Sequence, residues 1–351
     1  MLTEQGCGAR RRRLQEEMSR RGWDVFITGN YRTAYYLGGK LLGAEQPLAF
    51  VLWQDGAWTM LQPETYSIRR AIETPFHDLV PQLENELSRN PEARRAVEMS
   101  STPAVIANAV GPAADATMAI IRMRKRKEPD EVDEIRFSLK LAATAYRTAK
   151  ATIAPGLTEV DVYNAMDAAI AREAGTAVPF PGDFACGERC IKHGGPPTNR
   201  VLAKGDLYIL DLFPAPAIYF GDVCRAYTVG PATDLQMRAW EAVCKALALG
   251  ESIVAPGVKA RDVYARVKAY LDSHDFAENS FWHHAGHGIG HHGHEAPRII
   301  PGCDDVFEIG DVFTLEPGIY SQALQGGIRL ENNYLITERG VENLFNFPLD
   351  M

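Results

Sequence analysis

The alternation of apolar and polar positions divides the chain into a short α/β stretch and a longer region that repeats itself. A charged amphipathic pattern runs through Met18, and the apolar run at 24–28 behind it has the length of a strand. Residues 48–53 and 57–61 flank Asp55-Gly56, a good two-residue turn, and so predict a hairpin. Helical patterns occupy 64–73 and 84–98, and 104–110 reads as another buried strand. None of these segments carries evident chemistry, and the lone His77 reads as a surface or loop histidine.

A boundary falls at 124–130, where a charge run meets Pro129 followed by acids. Proline tolerates a first helical turn and acids suit the positive end of the helix dipole, so a helix is expected from there to about residue 153. The expected domains are therefore 1–124 and 125–351. After Ala154-Pro155-Gly156, the stretch Thr158-Glu159-Val160-Asp161 has the form of a capping box that opens the next helix.

That segment has a twin. Ala154-Pro155-Gly156 with Asp161-Val162-Tyr163 recurs as Ala255-Pro256-Gly257 with Asp262-Val263-Tyr264. Downstream, Gly205-Asp206-Leu207 with Asp211 matches Gly310-Asp311-Val312 with Glu316, and each half then offers a second acid, Asp222 or Glu331. Two copies of one α/β unit packed face to face would bring four carboxylates together about a pseudo-twofold axis.

Composition narrows the possible partners. A net charge of -8 argues against nucleic acid, because binding phosphate calls for a basic surface. The basic runs at 10–13 and 122–127 read as solvated helix faces. Six scattered cysteines have no zinc-knuckle spacing and are too sparse for a disulfide scaffold, which fits a reducing cytoplasm. No apolar signal region follows the polar start and no window is long enough to span a membrane, so a soluble, cytoplasmic protein is expected.

The chemistry concentrates at 283–295, His-His-Ala-Gly-His-Gly-Ile-Gly-His-His-Gly-His-Glu, which holds six of the nine histidines. Neutral imidazole is a common transition-metal ligand, and glycines let the backbone pass close to whatever the rings hold. Asp211, Glu316 and Glu331 each end an apolar or alternating strand pattern, where an ionised carboxylate is costly unless a cation cancels it. Four acids and a histidine exceed one tetrahedral zinc site and suit two metal ions, which can hold one hydroxide between them. Gly288-Ile289-Gly290-His291-His292-Gly293 matches a dinucleotide fingerprint in letters only, since it lacks the strand before and the uninterrupted helix after.

With these residues in view the chain resembles the pita-bread metallopeptidases: aminopeptidase P, prolidase, methionine aminopeptidase and the metal-free creatinase. The resemblance covers about 125–340 and is carried by Gly221-Asp222-Val223-Cys224-Arg225, Gly286-His287-Gly288-Ile289-Gly290, Thr314-Leu315-Glu316-Pro317-Gly318-Ile319-Tyr320 and Gly327-Ile328-Arg329-Leu330-Glu331. It implies an α/β fold with a duplicated pita-bread catalytic domain, preceded by a smaller N-terminal accessory domain of creatinase/prolidase type. It further implies Asp211 terminal on one metal, His287 and Glu316 terminal on the other, and Asp222 and Glu331 bridging. His294 is placed as the histidine that steadies the tetrahedral intermediate, His193 as the one near the substrate and His283 as a further active-site histidine that binds substrate. Arg329 is placed where it orients the bridging acid, and Glu316 as the proton shuttle. Phe213 stands where the family usually has glycine, and His284, His291 and His292 where glycine or apolar residues are usual; these three read as pocket or surface histidines.

The expected activity is cleavage of the first amide of short peptides, Xaa-Pro in particular, by an aminopeptidase or dipeptidase that uses a metal-bridging hydroxide. Two divalent ions are expected, manganese first, with cobalt, zinc or iron as alternatives. A homodimer is expected, with no nucleic-acid or membrane partner. The alternative is a metal-dependent lyase or non-peptide amidohydrolase acting on a small metabolite.

Overall fold

A computed structural model describes residues 1–42, 46–63, 76, 78–192, 194–277 and 280–351, so the pattern at 64–73, His77 and His193 lie outside the described residues. The chain forms two compact units, Met1–Arg124 with Glu128–Asp130, and Lys125–Lys127 with Glu131–Met351.

The first unit runs α1 (Glu4–Arg21), β1 (Val25–Thr28), α2 (Tyr31–Gly38), β2 (Ala49–Trp53), β3 (Trp58–Leu61), α3 (Leu79–Leu87), β4 (Arg95–Val97), α4 (Ala104–Val110), β5 (Ala114–Asp115) and α5 (Thr117–Lys125). Its sheet has the order β3-β2-β1-β4-β5. Phe26 packs into one apolar cluster with Leu14 and Met18, while its neighbours Val25 and Ile27 pack into another with Leu83 and Val97. Both faces of β1 are thus covered, which explains a continuous apolar run where a half-exposed strand would alternate.

Three expectations fail here. Residues 104–110 form a helix, with Ile106 and Val110, four apart, on its buried face. The pattern at 84–98 divides, because the chain leaves the helix at Leu87, passes Asn90-Pro91 and enters β4, and the residue before a proline disfavours helix. The basic run at 10–13 is not a solvated face: Arg10 is fully buried, donating to Asp130 Oδ1 at 2.7 Å and to the Tyr36 carbonyl at 2.6 Å. In the second run, Arg124 and Lys127 are likewise buried.

The second unit contains the repeat. Its first half has α6 (Pro129–Thr152), α7 (Glu159–Ala174) and an antiparallel sheet of β6 (Gly182–Cys186), β7 (Leu207–Leu212) and β8 (Val223–Thr228). The second half has α8 (Asp234–Ile253), α9 (Ala260–Asp272), β9 (His287–Gly288), β10 (Glu295–Arg298), β11 (Val312–Leu315), β12 (Gly318–Ser321), β13 (Gly326–Arg329), β14 (Asn332–Thr337) and β15 (Gly340–Asn343). Thr158 caps α7 in the expected capping box with Asp161.

Local bonding repeats between the halves. Gly156 N–H donates to the Leu202 carbonyl at 3.0 Å and Gly257 N–H to that of Phe307 at 2.9 Å. The bridges Thr158–Val201 and Lys259–Val306 correspond, and Asp206 and Asp311 each accept the N–H three residues back at 2.8 Å. Apolar residues of α8 and α9, among them Val243, Leu247, Val263 and Val267, share one core with Ile209, Phe313, Leu315 and Ile328. On α6 the buried Tyr146 hydroxyl donates to the Val223 carbonyl at 2.6 Å, with that of Leu210 at 3.0 Å, fixing β7 and β8 on either side of Asp211 and Asp222. All six cysteines are free, and no helix among the described residues is long and apolar enough to cross a membrane.

Candidate metal centre

Each acid of interest is delivered by a strand or its edge. Asp211 is next to last in β7, opposite Cys224 of β8 and Asp183 of β6. Asp222 immediately precedes β8, Glu316 follows β11, and Glu331 occupies the step between β13 and β14. His287 opens β9. Two glycines beside it allow the backbone to crowd its neighbours. Gly286 has φ 148°, and a Cβ there would stand 2.0 Å from the Thr314 carbonyl oxygen; one on Gly288 would stand 2.0 Å from that of Ala296.

Asp211, Asp222, His287, Glu316 and Glu331 line one cavity of about 540 Å³, together with His283, His284, His294, Arg329, Asp183 and Phe213. Of the site residues expected from the sequence, His193 is not placed, because it lies outside the described residues. His291 does not line the cavity; it is buried against the Tyr219 ring, centroids 5.8 Å apart.

His287 Nδ1–H donates to the Gly288 carbonyl at 3.0 Å, which fixes the tautomer and leaves Nε2 as the nitrogen with a free lone pair. Nε2 lies 3.6 Å from Asp222 Oδ2 and 3.4 Å from Glu316 Oε1. Ligand-type atoms of Asp222, His287 and Glu331 lie within 4.8 Å of one another. Asp211 Oδ1 and both Glu331 carboxylate oxygens are buried with no hydrogen-bond partner. Buried carboxylate oxygens left in this state are what a cation would satisfy, so the donor set fits divalent metal.

Electrostatics follow the crowding. Burial pushes the Asp222 carboxyl well above its ordinary range, and the Asp211 and Glu316 charges add to the effect. Glu331 is raised in the same way, by burial and then by Asp222 and Glu316. Burial takes Asp211 up to about 6, against the pull of Arg329. Burial also works to raise Glu316, but His284, His287 and His283 outweigh it and hold the carboxyl below its usual range. Burial lowers His287 to about 3 and His283 to about 4, and also lowers His294. For His284 the Glu316 charge overcomes burial and raises the imidazole.

Arg329 departs from expectation. Its Nη2 donates to Asp211 Oδ2 at 2.5 Å and Asp183 Oδ2 at 3.0 Å, so it orients the acid assigned as terminal and not a bridging one. Its Nη1 donates to the Tyr320 hydroxyl at 3.2 Å, and that hydroxyl lies 2.8 Å from His283 Nε2. His283 Nδ1 donates to the His284 carbonyl at 2.6 Å, so both its nitrogens are engaged. Asp183 and Tyr320 carried no expected role. Tyr320 closes a motif already in view, whereas nothing local to Asp183 marks it, since its place depends on strand register.

The family profile of metallopeptidase family M24 matches residues 133–338, more than half of the chain. The uncharacterized peptidase YqhT of Bacillus subtilis is 28% identical over 233 residues, 66% of this chain and 65% of that protein. The Xaa-Pro dipeptidase of Pyrococcus furiosus is 30% identical over 224 residues, 64% of this chain and 63% of that protein. The match thus spans just under two thirds of the length of either relative. In three dimensions the chain is similar to an Xaa-Pro dipeptidase from Bacillus anthracis, with a TM-score of 0.84 at 22% identity over 98% of this chain and 99% of that one. With its duplicated halves, its pita-bread fold and this match, the chain belongs to metallopeptidase family M24.

Proposed function

We propose that the chain is a dinuclear metal-dependent peptidase that releases the N-terminal residue, or splits the dipeptide bond, of short Xaa-Pro peptides. One observation carries this reading: four carboxylates and an imidazole with a free lone pair line a single cavity, and three of the acid oxygens have no partner. Asp211, Asp222, His287, Glu316 and Glu331 would hold the ions, with manganese, cobalt, iron and zinc all compatible with such a set. Bound divalent ions would polarise a carbonyl and acidify water. Glu316 lines the cavity beside His284 and His287, where it would carry a proton from water to the leaving amine. His294 and His283 face the same space and would bind the peptide and its developing charge, with His193 as a further substrate contact. Arg329 would hold Asp211 and Asp183 in place.

The name of the Pyrococcus relative supports the Xaa-Pro assignment. The first unit is read as an accessory domain of creatinase/prolidase type, in a cytoplasmic homodimer. The test is a panel of Xaa-Pro dipeptides and tripeptides, with Xaa-Ala controls, assayed on protein reconstituted with each metal. Cleavage confined to the proline peptides and abolished in Glu331→Gln is the expected result. Phe213 in the cavity wall favours the second reading, a metal-dependent lyase or amidohydrolase on a small metabolite. A metal-loaded protein that leaves the whole panel uncut would favour it.

A further inference from the structure

The surroundings of Glu316 are richer in nitrogen than the five-residue set requires, and the additional group is His284. Glu316 Oε1 lies 2.9 Å from His284 Nδ1 and 3.4 Å from His287 Nε2. Two donors each about 2.1 Å from one ion, and about 90–109° apart, are themselves roughly 3.0–3.4 Å apart. Both separations sit close to that spacing. His284 Nδ1 is buried and faces the carboxylate. With a proton between them the two atoms form an ion pair; with a cation in its place they are two ligands at ordinary ligand-to-ligand spacing. Ligand-type atoms of His284, His287 and His294 also lie within 4.8 Å of one another. His284 faces His287 and His294 with ring centroids 5.0 and 5.2 Å away.

We propose that His284 is a further metal ligand of this chain, joining Glu316 and His287 on one ion. That ion then has two imidazoles beside Glu316 and the two shared acids, Asp222 and Glu331; the second nitrogen shifts its preference toward zinc or cobalt and away from manganese, whose preference is for oxygen. The proposal rests on the reading of Glu316 and His287 as ligands.

The test uses metal-stripped full-length wild type, His284→Asn and His287→Asn, each titrated with Zn²⁺ in competition with Mn²⁺. Bound manganese is followed by electron paramagnetic resonance, and imidazoles are counted by X-ray absorption at the zinc edge. His284→Asn is expected to weaken zinc binding by at least about tenfold with little change for manganese, since even indirect supports of a metal site are worth that much. It should also lose one imidazole from the zinc shell. If His284→Asn keeps the wild-type zinc preference and imidazole count while His287→Asn loses both, His284 is only an imidazolium partner of Glu316, and the proposal fails with the ligand reading intact. If His287→Asn is also unchanged, the ligand reading falls and takes this proposal with it. The wild-type count decides the matter without any variant: an average near one imidazole per zinc supports His284, and near one half overturns it.

Discussion

Cys224 and Glu331 exchange a reciprocal pair of backbone hydrogen bonds, 3.4 Å from the Cys224 N–H and 3.0 Å from the Glu331 N–H. Beside them Asp222 N–H donates to Asn333 Oδ1 at 3.3 Å, and Asn333 Nδ2 donates to the Asp222 carbonyl at 2.5 Å. In the repeat Asp222 corresponds to Glu331, and two residues on Cys224 corresponds to Asn333. The contact is therefore self-complementary, as across a twofold axis. It joins the halves where each contributes its second acid.

Asn333 is fully buried, and its side chain satisfies both backbone groups of Asp222. Asn333→Ala leaves them unpaired, which costs about 1–3 kcal/mol for a buried group. Urea unfolding should show a lower midpoint at unchanged slope; an unchanged midpoint would mean that the seam tolerates the loss.

Asp222→Asn separates charge repulsion from metal binding. Without metal it removes one of four crowded acids, and the variant should unfold at a higher temperature than metal-free wild type. Saturating Mn²⁺ or Zn²⁺ should raise the wild-type Tm and leave the variant nearly unmoved, because only a ligand that binds the native state stabilises it. A wild type indifferent to both ions would count against the metal reading.

Lys127 and Glu295 form a buried ion pair at 2.9 Å, their side chains 0% and 2% exposed, and Glu295 also accepts the His292 N–H at 3.3 Å. The pair anchors the end of the histidine loop. Lys127→Met strands a buried carboxylate, expected to cost about 3–5 kcal/mol, whereas Lys127→Met with Glu295→Leu should recover much of it. A double-mutant cycle in denaturant measures the difference, and additive losses would show the two residues to be independent.

Two glycines of the loop should respond in opposite ways. Gly288→Ala drives a methyl into the Ala296 carbonyl and should destabilise by about 1–3 kcal/mol or more, with loss of bound metal. A Cβ at Gly293 meets nothing within 4 Å, so Gly293→Ala should keep both stability and metal content. Equal behaviour of the two in thermal unfolding would contradict the packing argument.

Asp130 anchors the first unit through Arg10 and Thr3. Burial works to raise its carboxyl, but the Arg10 and Thr3 hydrogen bonds prevail and hold it below the ordinary value. A carboxyl depressed in the folded state contributes stability that is fully present above the unfolded pKa of about 3.9 and is lost as pH falls through the lower folded value. The stability difference between wild type and Asp130→Asn should therefore be constant from neutral pH down to about 5 and shrink below about 4. A difference that persists undiminished at the acid end would assign the effect to packing.

Much was decided by the sequence alone, where the signal is local. The acids that close apolar strand patterns, the capping box at Thr158, the glycine-broken histidine run and the doubled order of turns and acids are all properties of neighbouring residues, and each has its counterpart in the fold. The short apolar run at 104–110 was ambiguous for a physical reason, since seven residues fit a buried strand and two helical turns equally well. Tertiary structure alone decided which groups meet. Arg10 is buried because Asp130, 120 residues away, cancels its charge. Arg329 holds Asp211 because β6 and β7 bring Asp183 and Asp211 side by side in register. His284 stands 2.9 Å from Glu316 because a strand and a loop from distant parts of the second half converge on one cavity. A residue's chemistry is written where it stands in the chain; its partner is set by register and strand crossing, which no local pattern encodes.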